Sequence, residues 1–131
     1  DLLSAVPGER FDLIVSNPPY VPGSGIPERG RSRAWEGGPD GRAVIDRICA
    51  FAPGHLTPGG VLLLVHSSVC SVPETVQQLA RQGFEARIVA SEHGPLGPIL
   101  SARADWLAVQ GLLPDGNSEE IAVIRAQMPV A

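Results

Sequence analysis

The stretch Phe11 to Pro22, FDLIVSNPPYVP, restricts what this chain can fold into more than any other. Phe11 to Ser16 is a short apolar run, with Gly8 before it and two prolines soon after it. Such a run, rich in Leu, Ile and Val, predicts a buried parallel strand. Pro18 and Pro19 cannot extend that strand, because each lacks an N–H and has a fixed φ. They also bias Asn17 toward an extended backbone. A rigid loop therefore stands at the carboxyl end of a buried strand, where open α/β sheets place their ligands.

The loop residues carry a defined chemistry. The Asn17 side chain and the Pro18 and Pro19 carbonyls are acceptors, and Tyr20 adds a flat ring. Two acceptors can take both hydrogens of a planar –NH2 group while an aromatic ring stacks on its plane. Held this way opposite a methyl donor, the nitrogen lone pair is aligned for in-line attack. Asn17, Pro18 and Tyr20 are thus the candidate catalytic residues, and Asn17, Pro18, Pro19 and Tyr20 the candidate substrate-binding set. The competing reading is a proline-rich turn in which Asn17 is an ordinary turn former.

The NPPY tetrapeptide after FDLIVS resembles the Asn-Pro-Pro-Tyr motif of Rossmann-like S-adenosylmethionine-dependent amino-methyltransferases. The wider likeness is to the HemK/PrmC family, which methylates the glutamine of a Gly-Gly-Gln motif in peptide release factors. AWEGGPDGRAVIDRI, residues 34–48, is similar to the piece that follows NPPY there, especially in the archaeal and eukaryotic branch. The resemblance implies an α/β fold, the second half of a mostly parallel sheet. Its last strand is expected to insert antiparallel between the two before it. It also implies S-adenosylmethionine as cofactor, with Asp1 at the position that contacts adenine and Asn17 beside the donor. The family's glycine-rich loop and ribose-binding acid have no counterpart here. The chain therefore reads as the carboxyl-terminal part of one methyltransferase domain, short of roughly 60 residues or more of βαβ structure. Bacterial members more often carry Leu where Arg42 stands, which leaves the protein substrate open.

Past Tyr20, residues 21–39 form a long Gly- and Pro-rich loop with Arg29, Arg31 and Arg33. Its position suits a substrate lid; the arginines read first as a solvated cluster, and otherwise as a handle for an acidic partner. Asp40 is expected to cap a helix over residues 43–56, with Val44, Ile45, Ile48, Cys49 and Ala52 inward. A turn over Leu56–Gly60 leads to a second buried strand, Val61–Val65, ending at His66. That position borders the expected active site, although a lone His is more often structural. Cys70 has no His-plus-acid set to make it a nucleophile. Ser71-Val72-Pro73-Glu74 is a capping box opening a helix to Gln82. A half-exposed strand over Phe84–Ala90 follows, and Gly94–Pro98 breaks the chain. An amphipathic segment, Leu100–Leu113, should pack Trp106, Val109 and Leu113 together, and Ile121–Ala126 should form the last strand.

Composition narrows the function classes. A hydrophobic content of 44% in 131 residues is enough for one ordered domain. The net charge of −4 provides no general attraction to nucleic acid. Two isolated cysteines and no long apolar run fit a soluble cytoplasmic protein without membrane spans. No metal-ligand set is apparent. The leading expectation is methyl transfer to a glutamine amide, most simply that of a release factor. No general base is required if the amide loses its proton late. The alternatives are an amino-methyltransferase acting on adenine or guanine, and a non-catalytic module that has lost its cofactor loop. If the upstream half is absent, the Phe11–Ser16 strand has an uncovered edge and is expected to self-associate.

Overall fold

The computed structural model describes residues 7–23, 37–114 and 116–130. Four strands form one sheet: β1 (Phe11–Ser16), β2 (Leu56–Ser67), β3 (Glu85–Pro95) and β4 (Ser118–Gln127). Their spatial order is β1-β2-β4-β3. β1 runs parallel to β2, and β4 runs antiparallel to both β2 and β3. Three strands therefore share one direction, and the last strand is inserted between its two predecessors. This is a Rossmann-like methyltransferase arrangement, as the family likeness implied.

Side-chain alternation along β2 decides which face is covered. Leu62, Leu64 and His66 are buried, whereas Val61, Leu63 and Val65 are half-exposed. Helices α1 (Ala43–Phe51) and α2 (Val72–Arg81) cover the first face, with Ile45, Ile48 and Cys49 of α1 and Leu79 of α2 in the core. Ala122, Ile124 and Ala126 of β4 complete that core. The second face carries no described helix.

That asymmetry corrects the expectation for β1. It is not a buried strand here but the edge of the described sheet, with Leu13 53% and Val15 65% exposed. Only β2 pairs with it among the described residues, so one edge and one face stay open. Other boundaries also shift. β2 absorbs the Leu56–Gly60 turn as a ladder irregularity, since Phe11 pairs with Leu56 but Leu13 already pairs with Val61. α1 ends at Phe51 and hands over to a 3₁₀ turn, Ala52–His55, because Pro53 and Gly54 interrupt the α ladder. Asp40 does not occupy the cap position; Arg42 does, while the Asp40 carboxylate accepts from the Arg42 N–H at 3.0 Å. Ser71 does cap α2, accepting from the Glu74 N–H.

The segment after β3 forms two short helices, α3 (Pro98–Ala102) and α4 (Ala104–Val109), separated at Arg103. The expected Trp106–Val109–Leu113 face is therefore not formed as one stripe. Val109 is 82% exposed, and Leu100 and Leu107 take the buried positions. They pack with Val21, Val69 and Leu96 into a second, smaller core. Burying a leucine fully contributes about 1.5–3 kcal/mol, enough to seat two helices too short to hold themselves. Among the described residues, no helix is long and apolar enough to cross a membrane.

Candidate functional site

The second core fastens the α3–α4 excursion to Val21, directly after the NPPY loop. Arg103 adds a polar tie, donating to the Pro22 carbonyl at 2.9 Å. As a result, α3 faces the loop across a cleft of about 400 Å³. Asn17, Pro18 and Tyr20 line one side, and Gly97, Pro98 and Glu119 line the other. The structure thus brings together three of the four predicted loop residues; Pro19 is beside the cleft but not in its lining. A groove of about 440 Å³ runs along β3 and β4 and touches Glu119, but it contains none of the predicted residues. Chemistry, rather than size, identifies the smaller cleft.

Within the loop, acceptors are divided between structure and solvent. The Tyr20 carbonyl is held from below by the Cys70 thiol, Sγ to O 2.9 Å. Burial pushes the Cys70 thiol up to about 12, so it stays protonated and remains a donor. Among the described residues no backbone N–H donates to the Pro18 or Pro19 carbonyl. Asn17 is exposed at the mouth of the cleft. Tyr20 is partly buried, and burial, then the Glu119 carboxylate, then Cys70 raise its phenol above the usual tyrosine value. It offers a neutral ring, not a base.

Close backbone packing holds the loop in place. A Cβ on Gly41, whose φ is +79°, would lie 2.2 Å from the Tyr20 oxygen and 2.7 Å from Cys70 Sγ. One on Gly37 would lie 2.7 Å from the Tyr20 Cα. Only glycine allows this approach. The loop beyond Tyr20 is closed at its base, since Gly37 N–H donates to Val21 O and Gly23 N–H to Gly38 O, both at 2.9 Å. Residues 24–36, with Arg29, Arg31 and Arg33, and Asp1 lie outside the described residues.

Three other candidates are scaffold. His66 is fully buried; its Nδ1 donates to the Ser67 carbonyl at 2.8 Å and its Nε2 accepts from the Thr75 hydroxyl at 2.7 Å. Burial lowers it to about 4, so it is neutral at physiological pH. Cys70 serves only the Tyr20 carbonyl. Arg42 is 3% exposed and points inward, donating to the Cys70 and Ser71 carbonyls and to Asp46 at 2.9 Å. Arg42 therefore braces the turn that carries Cys70. Glu119 was missed by sequence reasoning. Its only sequence signal is an acid at the mouth of an otherwise alternating strand.

The fit to the implied cofactor is incomplete. The hydrogen-bond acceptors of the cleft suit an –NH2-bearing substrate, but the described residues contain no glycine-rich turn or acidic ribose ligand for S-adenosylmethionine.

No protein-family model matches the chain. It is 35% identical over 106 residues to a Methanocaldococcus jannaschii protein carrying the name N5-glutamine methyltransferase, covering 79% of this chain and 53% of that one. It is 44% identical over 69 residues to the ribosomal protein uL3 glutamine methyltransferase of Bradyrhizobium diazoefficiens, covering 48% of this chain and 22% of that one. Among solved structures, it is similar to the E. cuniculi Mtq2–Trm112 complex, responsible for methylating the eRF1 translation termination factor. That match has a TM-score of 0.58 and 25% identity over 95% of this chain and 56% of the other. The chain spans about half the length, or less, of the relatives it matches.

Proposed function

The chain belongs to the HemK/PrmC-type glutamine methyltransferases, and on that footing we propose that it forms the acceptor side of an S-adenosylmethionine-dependent protein-glutamine N-methyltransferase. In this reading it is the carboxyl-terminal part of a single domain acting in the cytoplasm. The observation that carries it is the cleft between the NPPY loop and α3, which Asn17, Pro18 and Tyr20 line together with Gly97 and Pro98.

The cofactor supplies the electrophilic methyl group. This chain's residues bind and orient the acceptor. The Asn17 side-chain carbonyl and the Pro18 carbonyl accept the two N–H bonds of the glutamine amide, and Tyr20 stacks on its plane. Such positioning removes most of the entropy cost of a two-reactant step, and it requires no base. The charged side chain lining the cleft is an acid, Glu119, and no described arginine lines it. That charge balance disfavours nucleic acid as the acceptor. A release factor is the substrate we infer first; the uL3 relative makes a ribosomal protein glutamine the natural comparison.

The test uses the full-length protein with isotopically labelled S-adenosylmethionine and a peptide containing Gly-Gly-Gln, alongside the same peptide with Asn for Gln. Methyl transfer confined to the glutamine amide, located by fragment-ion mass spectrometry, is the expected result. Transfer to nucleic acid alone, or no transfer at all, overturns it.

A further inference from the structure

Glu119 has no part in the chemistry just described, although it lines the same cleft. It is the second residue of β4 and is 7% exposed. Its carboxylate accepts from the Ser67 hydroxyl at 2.6 Å through Oε2 and from the Gly97 N–H at 3.3 Å through Oε1. Ser67 closes β2, and Gly97 begins the wall opposite Asn17. One carboxylate therefore joins the sheet to the far side of the acceptor site. Two protein donors do not exhaust it, because a carboxylate has about four acceptor positions. Among the described residues no cation forms an ion pair with it. After burial, the Glu119 carboxylate is the next cause that raises the Tyr20 phenol, in keeping with its place beside that ring in the cleft lining.

The Asn17 and Pro18 carbonyls already disfavour a carboxylate, which brings no N–H to them. Shape and the flat face offered to Tyr20 do not separate the two groups. A like charge lining the same cleft adds electrostatic repulsion to that hydrogen-bond selection.

We propose that Glu119 is the specificity-determining residue of the acceptor cleft: its carboxylate holds the Gly97 wall in place and repels an acidic side chain, so that glutamine enters and glutamate is excluded. The inference rests on the glutamine-methyltransferase reading of the cleft.

The experiment measures binding to the full-length protein of two peptides that differ only in Gln or Glu at the acceptor position. Wild type should prefer Gln strongly. Glu119→Gln keeps the side-chain shape and removes the charge; it should reduce the Gln-over-Glu preference about tenfold. Ser67→Ala keeps the charge and should keep the preference. If Glu119→Gln fails to fold, wild type still decides the matter: a peptide with the uncharged γ-methyl ester of Glu lacks the amide N–H groups as Glu does, and should bind more tightly than the Glu peptide. Equal weakening of both peptides by Glu119→Gln, or an ester peptide bound no better than the Glu peptide, makes the residue merely structural and overturns the proposal. Methyl transfer to glutamine with no Gln-over-Glu preference overturns it while sparing the glutamine reading. Failure of wild type to bind either peptide removes both.

Discussion

Asn17 is exposed where Pro18 is buried, so of the two proposed acceptors Asn17 contributes its side chain and Pro18 only its backbone carbonyl. Asn17→Ala in the full-length protein should reduce turnover by roughly 10²–10³ while cofactor affinity changes little, because it removes an acceptor strengthened in the transition state. Single-turnover kinetics beside a cofactor titration check this; full activity on the true substrate would return NPPY to a turn. His66 makes the opposite case, a titratable group whose work is done inside the fold. Its folded value of about 4 lies below the usual 6.5. Between those values the unfolded chain binds more protons than the folded one, so stability is full above about pH 6.5 and is lost as pH falls toward 4. Melting measured from pH 7.5 to 4.5 should show that decline. His66→Gln should flatten it, whatever it costs at neutral pH.

At the scale of elements, the NPPY loop depends on a turn far from it in sequence. The Cys70 thiol and Gly41 meet at the Tyr20 carbonyl, and the buried Arg42 holds the Cys70 and Ser71 carbonyls. Gly41→Ala should cost more than the about 1–2 kcal/mol that a left-handed backbone imposes on a residue with a Cβ, because the added atom also overlaps the Tyr20 oxygen. Chemical denaturation gives the cost, and a rise in KM for the glutamine peptide shows the loop displaced. Arg42→Leu, the bacterial choice, leaves two carbonyls and Asp46 without their donor. It should destabilise by about 1–3 kcal/mol and leave the choice between protein substrates unchanged. A switched substrate would show that Arg42 reaches beyond the scaffold.

At the scale of the whole molecule, β1 and β3 are the two edges of the described sheet, and α1 and α2 cover one face. β3 is interrupted by a ladder irregularity between Ile88 and Ala90, whereas β1 presents its edge beside the exposed Leu13 and Val15. β1 carries no lysine or proline of the kind that protects natural edges, and its ladder with β2 is regular from Leu13 to Ser16. Residues 1–131 alone should therefore associate through β1. Light scattering on the purified chain tests this, and an Ile14→Pro variant should suppress the association by breaking the edge. A monodisperse wild-type chain would mean that something outside the described residues covers β1.

Local chemistry was enough to read a large part of this protein. Phe11–Ser16 ends where two prolines remove ladder donors, and Ser71–Glu74 caps a helix within its own four residues; neither depends on distant contacts. The inserted final strand was legible through the chain's likeness to a known family. What tertiary structure alone decided involves residues far apart in the chain. Alternation cannot distinguish an edge strand from a central one, because pairing depends on neighbours that β1 does not encode. Helical periodicity over Leu100–Leu113 did not reveal the break at Arg103, where the chain turns so that Leu100 and Leu107 both reach Val21. Glu119 read as one more polar residue on a strand. Only the fold, by placing Ser67 and Gly97 52 and 22 positions away within hydrogen-bond reach, buried its charge in the cleft beside Asn17.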